Sequence, residues 1–291
     1  MGHDRGVSTA HPSPSSSRPI TALSAATTAL FVPGDRPDRF AKALASGADL
    51  VIVDLEDAVA GDRKARAREA VVEAVAAHPS SFLVRVNGAG SPEHAADLEL
   101  LATIGGGLLG VAQAKTESPE AIEAVRMRAG DVGIIPLVES AAGLAAAPAL
   151  AQTPGVARLA LGAIDLALDL DTTAPEVIDF ARFQLTLASR VAGLAGPLDS
   201  PSVEFAELEP VRAAAARARS FGFGGKLCIH PRQLAAVREA FAPTAEEVEW
   251  AERILSVPGE GVANVEGTMV DRPVTERARR ILAAVEREGR G

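Results

Sequence analysis

Gly47-Ala-Asp-Leu-Val-Ile-Val-Asp54, followed by Leu55-Glu-Asp57 and a segment of helical periodicity from Arg63 to Ala77, holds the fold in miniature. The run Leu50–Asp54 is apolar at successive positions rather than alternate ones, which suits a strand buried on both faces, as in parallel sheets. It closes on a carboxylate. The same unit recurs on either side. Upstream, Thr28–Val32 precedes a periodic Arg36–Ser46. Downstream, Phe82–Val86, Leu108–Ala114, Val132–Val138, Val156–Leu161 and Gly225–Ile229 are apolar runs. Pro92–Ile104, Pro119–Ala129, Ala141–Gln152, Pro175–Ala192 and Glu207–Phe221 carry helical spacing between them.

Repeated strand–helix alternation implies a parallel sheet with crossover helices. These seven runs and a weaker one at Gly196–Ser200 supply the eight staves that close an α/β (β/α)8 TIM barrel. The rival is a doubly wound open sheet. It lacks its glycine-rich signature, because Leu30-Phe-Val-Pro-Gly-Asp35 contains no G-x-G-x-x-G. After Pro231 the sequence predicts a helix over Arg232–Phe241 and a second helix opened by the capping box Thr244-Ala-Glu-Glu247. A glycine-rich connection, Pro258–Gly267, and a last helix, Pro273–Glu288, complete the chain. The expected organisation is a disordered Ser- and Pro-rich tail over 1–27, a barrel over 28–242 and a small C-terminal helical extension or lid over 243–291.

Composition narrows the function. Aromatic residues make up only 3% and tyrosine is absent, so the core is built from Ala, Val, Leu and Ile, as layered barrel interiors are. A net charge of −9 excludes a general nucleic-acid scaffold while leaving room for a local basic pocket. Cys228 is the single cysteine, so no intrachain disulfide forms and a reducing, cytoplasmic setting is expected. No apolar run is long enough for a bilayer. The first apolar stretch, Ala22–Val32, leads straight into Pro33-Gly34-Asp35, so neither a secretory leader nor a membrane partner is expected.

Barrel enzymes place their chemistry at the C-terminal strand ends. Those ends read Asp35 and Arg36; Asp54, Glu56 and Asp57; Arg85 and Asn87; Lys115 and Glu117; Glu139; Asp165; and His230. Glu139 in Ile135-Pro-Leu-Val-Glu-Ser140 and Asp165 in Leu161-Gly-Ala-Ile-Asp-Leu166 are expected to end the fifth and sixth strands. Neighbouring strands lie about 5 Å apart, so both carboxylates can reach one ion. Without a nearby Cys or His pair, that ion is a hard cation such as magnesium. The bland alternative makes Asp165 a helix cap and leaves Glu139 in solvent. Arg85, ending a buried strand, needs an anion, either a ligand carboxylate gripped bidentately or an internal partner at Asp54 or Glu56. A lone His230 is expected as a hydrogen-bonded core residue and Cys228 as packing. Arg36, Arg39 and Lys42, at helical spacing beside Pro33-Gly34, suit the phosphates of a nucleotide-like ligand or a solvated helix face.

Leu30-Phe-Val-Pro-Gly-Asp-Arg-Pro-Asp-Arg-Phe-Ala-Lys-Ala43 and Gly47-Ala-Asp-Leu-Val-Ile-Val-Asp-Leu-Glu-Asp-Ala-Val59 closely resemble the citrate lyase β-subunit-like family of the HpcH/HpaI aldolase group. Val84-Arg-Val-Asn-Gly88, Pro136-Leu-Val-Glu-Ser140, Leu161–Leu166 and Gly225-Lys-Leu-Cys-Ile-His-Pro231 continue the match in order. The resemblance implies the barrel, a magnesium ion and carbon–carbon lyase chemistry on a CoA thioester of malyl, citramalyl or citryl type, made from an acyl-CoA and an α-keto acid. It implies Glu139 and Asp165 as metal ligands, and Arg85 as the arginine on the substrate carboxylate. The backbone of Gly162, Ala163 and Asp165 is implied to face the keto acid. Gly267-Thr-Met-Val-Asp-Arg-Pro273 resembles a C-terminal motif whose aspartate reaches a neighbouring subunit, which makes Asp271 the candidate acid/base and implies a homotrimer or hexamer. The family's usual Pro before Lys115 is Ala114 here, and its frequent acidic residue before Asp165 is Ile164. Three other activities fit the same residues: an aldolase of class II type acting on free hydroxy-keto acids, a thioesterase or synthase, and a lyase β subunit that needs an acyl-carrier partner.

Overall fold

The alternation of buried runs and helices closes on itself in the computed structural model, which describes residues 17–256, 263–265 and 268–288. Strands β1 (Thr28–Pro33), β2 (Leu50–Asp54), β3 (Leu83–Val86), β4 (Gly110–Gln113), β5 (Gly133–Val138), β6 (Ala160–Leu161), β7 (Leu198–Asp199) and β8 (Gly225–Cys228) pair in chain order. β8 then pairs with β1 to form a closed parallel barrel. The chain divides into two compact units, residues 1–238 and 239–291.

Side chains alternate across each strand, so every second residue points into the barrel. Ala29, Leu50, Ile52, Leu83, Ala112, Ile135, Leu137, Ala160, Leu198 and Leu227 form one interior cluster. Their shared parity makes the next inward positions Phe31, Asp54, Arg85, Ala114, Glu139, Gly162, Ser200 and Ile229. At that level the first inward polar side chains appear, Asp54, Arg85, Glu139 and Ser200, among Phe31, Ala114, Gly162 and Ile229.

Helices α2 (Phe40–Leu44), α3 (Lys64–Ala77), α4 (His94–Ile104), α5 (Pro119–Ala129), α6 (Ala141–Gln152), α7 (Ala163–Asp169), α8 (Pro175–Val191), α9 (Glu209–Ser220) and α10 (Gln233–Phe241) follow α1 (Ser17–Ala25). Ser118 and Ser140 cap α5 and α6, their hydroxyls accepting the N–H groups of Ala121 and Gly143.

Three expectations need correction. The tail over 1–27 is ordered from Ser17 onward: α1 carries Leu23 into the interior cluster, and Ala26 just beyond its end joins it. Glycines at the starts of β4 and β5 make room, since a Cβ on Gly110 or Gly133 would lie 2.9 or 3.0 Å from Leu23 Cδ2. The fully buried Arg158 closes the end of α1, donating to the carbonyls of Ala26 and Gly196 at 2.5 and 2.6 Å and to Leu23 at 3.3 Å. Burial pulls its guanidinium down to about 9. Second, the helix expected over Arg36–Ser46 is a 3-10 turn (Pro37–Arg39) followed by only five α-helical residues. Third, Asp165 does not end a strand: β6 stops at Leu161, and Asp165 is the third residue of α7.

The second unit contains α11 (Ala245–Leu255), a hairpin of β9 (Ala263–Val265) and β10 (Thr268–Val270), and α12 (Arg272–Glu288). The hairpin's first strand falls inside the expected glycine-rich connection. Thr244 and Glu247 form the reciprocal capping box. Ala251, Ile254, Val270 and Ala278 make a separate small core, with the Arg277 guanidinium over the Trp250 ring. Among the described residues no helix is long and apolar enough to cross a membrane.

Candidate active site

The ends of β2 and β3 are clamped together by charge. Arg85 donates through Nε and Nη2 to the two oxygens of Asp54 at 2.7 and 2.6 Å. Asp54 also accepts the N–H groups of Glu56 and Ala58, so one buried carboxylate shapes the loop and anchors the arginine. The internal pair weighed for Arg85 is thus formed. A guanidinium has five N–H donors in a planar fork, and Asp54 engages two. Nη1 lies 2.9 Å from Glu56 Oε2 but off the hydrogen-bonding direction, since that oxygen has no hydrogen-bond partner among the described residues. The outer edge of the fork thus faces Glu56, and two carboxylates hold one guanidinium. The Phe31 ring lies 4.6 Å beneath the guanidinium carbon. Burial opposes the charge of Arg85, yet Asp54, Glu56 and Glu139 outweigh it and hold the pKa well above its ordinary value.

Lys115 follows β4 in a left-handed conformation, φ +47°, which a non-glycine residue adopts only when its surroundings hold it there. That conformation sends its two donors apart. Its N–H bonds Glu139 Oε2 at 2.8 Å, and its ammonium bonds Glu56 Oε1 at 2.5 Å with Asp57 at 3.4 Å. Beneath this cluster, Lys64 donates to the carbonyls of Leu55 and Glu56 and to Asn87 Oδ1. Asn87 bonds Leu55 and Asp97 in turn. Asn87 is a brace for the β2 loop.

Glu139 is 4% exposed, so it does not stand in solvent. Its stem rests on Gly162, where an added Cβ would sit 2.3 Å from Glu139 Cγ. Burial pushes its carboxyl up to about 7 against the pull of Arg85 and the Lys115 N–H, with Glu56 and Asp165 adding to the rise. Asp165 is half-buried in the first turn of α7 and bonds to no described residue; the cap position belongs to Gly162. The backbone expected to serve a keto acid is partly engaged. Gly162 N–H bonds Val138 O, and Ala163 N–H bonds Ser200 Oγ at 3.1 Å, so neither N–H is free.

The donor set can be tested against magnesium. Among the described residues no group of three or more His, Cys, Asp or Glu could hold a metal. Glu139 and Asp165 supply oxygen alone, and Glu139 is a carboxylate kept from water without a cation of its own. Magnesium takes one or two carboxylates and completes its shell with water and substrate oxygens, so the pair fits it.

Other expected residues lie elsewhere or are occupied. Arg36 forks onto Asp38, and Arg39 and Lys42 are exposed. His230 is a half-exposed residue rather than a core one, its ring stacked on Phe205 at 4.8 Å and its Nδ1 accepting the Arg232 N–H. Cys228 is buried, its thiol pushed up to about 12. Asp271 accepts the Val274 N–H at the start of α12 in the second unit, and Gly267 of its motif lies outside the described residues. Phe31, Ser200 and Ile229 share the inward level with Asp54, Arg85 and Glu139 but escape a search for ionisable strand ends. Carrying the period of two up each strand would have found them.

The model of the HpcH/HpaI aldolase/citrate lyase family matches residues 27–231. A citrate lyase subunit beta-like protein of Mycobacterium tuberculosis is 36% identical over 263 residues, covering 87% of this chain and 93% of that protein. An L-malyl-CoA/beta-methylmalyl-CoA lyase of Cereibacter sphaeroides is 32% identical over 298 residues, covering 88% and 93%. The crystal structure of CitE from M. tuberculosis in complex with magnesium, acetoacetate and coenzyme A superposes with a TM-score of 0.80 at 33% identity, covering 90% of this chain and 98% of that one.

Proposed function

The chain belongs to the HpcH/HpaI aldolase/citrate lyase family, and from that premise we propose that it is a magnesium-dependent carbon–carbon lyase that cleaves or forms a 3-hydroxyacyl-CoA thioester, with an acyl-CoA and a 2-oxo acid as the other side of the reaction. One observation carries this reading: the buried carboxylate of Glu139 feels both Arg85 and Asp165 at one end of the barrel. The related lyase and the magnesium- and CoA-bound neighbour support it.

Glu139 and Asp165 are the residues that hold the ion. Bound there, magnesium supplies Lewis-acid polarisation of a carbonyl oxygen. The remaining work falls to the chain itself. Arg85, fixed by Asp54, presents its outer N–H groups to the acid's carboxylate and to charge growing on the neighbouring oxygen. The Lys115 N–H locks one oxygen of Glu139, and the other rests over Gly162. Asp271 is the proposed group that exchanges the proton at the thioester's α-carbon. Arg36, Arg39 and Lys42 are the proposed contacts for CoA phosphates, since an exposed pair such as Arg36–Asp38 yields readily to a phosphate. A homo-oligomer and a cytoplasmic setting belong to the same proposal.

The test is a screen of malyl-, citramalyl- and citryl-CoA with the purified chain, with and without magnesium. Keto acid is followed as its phenylhydrazone and free CoA with a thiol reagent. Keto acid released only with magnesium is the expected result. Free CoA without keto acid would make the protein a thioesterase. No turnover of any CoA ester by the chain alone would make it the β subunit of an acyl-carrier-dependent complex.

A further inference from the structure

The weakest seam of the barrel adjoins the helix that carries Asp165. Resting on the metal assignment above, we propose that Ser200 and Asp169 are positioning residues. They tie the two ends of α7 to its neighbours and so hold Asp165 in register with Glu139 for one divalent ion.

β6 and β7 share one register pair, Ala160 with Leu198, and each strand ends one residue beyond it. The chain then turns into α7, whose N-cap, Gly162, has no side chain to accept a helical N–H. The next stave supplies the acceptor. Ser200 Oγ takes the Ala163 N–H, the first of the helix, at 3.1 Å. This hydroxyl acts as a cap delivered from outside and continues the seam past its last backbone pair. With only seven residues, α7 is too short to hold itself, so its ends must be fixed by their surroundings. At the far end Asp169 accepts the Ala141 N–H at 2.7 Å, two residues beyond Glu139. Asp165 lies between the two ties and has no hydrogen bond to a described residue that would aim it.

Ser200 is itself held firmly. It is buried, and its carbonyl accepts the Lys226 ammonium of β8 at 2.5 Å. Lys226 also bonds Asp199 Oδ2 at 2.7 Å, and Asp199 Oδ1 accepts Arg182 Nε of α8 at 3.0 Å. Asp199 and Lys226 are buried, so one carboxylate and two cations pin the end of β7 from behind the barrel wall. The alternation of side chains then turns Ser200 inward, to the level of Glu139. Contacts thus run from Arg182 through Asp199, Lys226 and Ser200 to Ala163, two residues before Asp165. Loss of the hydroxyl leaves the Ala163 N–H without its acceptor and lets the first turn of α7 swing. A small ion senses such a swing, because both carboxylates must reach it at about 2.0–2.1 Å together.

The experiment compares the full wild-type chain with Ser200→Ala and Ser200→Thr. The probe is manganese, which takes oxygen ligands as magnesium does, its affinity read from the electron paramagnetic resonance of the free ion. Hydrogen exchange of the α7 amides and the urea midpoint are measured alongside in EDTA. Ser200→Ala should exchange faster over α7 and bind manganese roughly 5- to 10-fold more weakly, the scale of one lost hydrogen bond. Ser200→Thr, which keeps the hydroxyl, should restore both. Unchanged manganese affinity in Ser200→Ala, whatever its urea midpoint, overturns the proposal and leaves the metal assignment standing. An equal loss in Ser200→Thr does the same, since packing and not the hydroxyl would be at work. Should Ser200→Ala not fold, the exposed Asp169 tests the other tie: Asp169→Ala weakens manganese binding and Asp169→Asn, which keeps the acceptor, does not, and equal affinities in those two variants overturn the proposal. If the wild-type chain binds no manganese, or Glu139→Ala binds it equally well, the metal assignment falls and takes the inference with it.

Discussion

Gly162→Ala is the sharpest probe of the site, because it adds one methyl group and replaces no proposed metal ligand. The backbone at Gly162, φ −104°, is open to alanine, so no backbone strain intervenes. The obstacle is Glu139: the new Cβ would lie 2.3 Å from Cγ, 2.6 Å from Oε1 and 2.9 Å from Cδ. Carbon atoms rest about 3.5 Å apart, so the stem of Glu139 must retreat by ~1 Å. It has little room to do so, being 4% exposed with Oε2 held by the Lys115 N–H. Breaking that charge-assisted bond and overfilling the wall together cost about 2–4 kcal/mol of stability. A ~1 Å displacement of a reacting group costs on the order of 100-fold in rate. The assay is threefold: magnesium affinity by calorimetry, kcat/KM with the thioester found in the screen, and the urea midpoint in EDTA. Gly90→Ala serves as the control, since a Cβ there meets nothing within 4 Å. Wild-type magnesium affinity and turnover in Gly162→Ala would refute both the seating of Glu139 and its role as a ligand.

Replacing Glu139 or Asp165 with Ala should abolish magnesium-dependent turnover while circular dichroism still reports a folded barrel; an unchanged rate in either variant would refute the metal assignment. Arg85→Ala leaves Asp54 buried without its cation and should lower stability by about 3–5 kcal/mol in denaturant titration, and a loss below ~1 kcal/mol would mean the clamp is not formed. Leu23→Ala empties the base of the barrel and should cost about 2–5 kcal/mol, whereas a neutral result would place α1 off the barrel. Burial alone would raise the Asp49 pKa, yet Arg238 and the N–H and hydroxyl of Thr28 outweigh it and lower it. A lowered folded pKa gives stability that is present above the unfolded value, about 3.9, and lost as pH falls through the folded one. Asp49→Asn should therefore flatten acid unfolding on that side, and an identical acid limb would exclude the contribution.

Much of the barrel is legible because strands buried on both faces leave uninterrupted apolar runs, as Leu50–Asp54 and Val132–Val138 do. Short staves are harder to read. β6 spans only Ala160–Leu161: the Val156–Leu161 run is long, but Val156 makes a lone bridge to Ile134 and pairing with β5 resumes only at Ala160. That shortfall moves Asp165 from a strand end to a helix turn. The helix α1 was hidden by its neighbours in sequence: averaged over a Ser- and Pro-rich tail, the spacing of Ile20, Leu23 and Ala26 disappears. At the site, residue types pick out Arg85, Glu139 and Asp165, but sequence does not tell an arginine waiting for a ligand from one already paired. Arg85 is already paired, with Asp54 on one edge and Glu56 beside Nη1. The fit of Gly162 under Glu139 and the left-handed turn at Lys115 arise from contacts between staves distant in sequence, where local propensity carries no signal.

Leu23 of α1 is lodged as a stopper in the floor of the barrel, which leaves the opposite end, where Arg85 and Glu139 sit, as the doorway among the described residues. For a reaction with two products that arrangement sets a queue. In the proposed lyase reaction, an acid held at the level of Glu139 would have to enter before the thioester and leave after it, an order that product-inhibition kinetics would reveal.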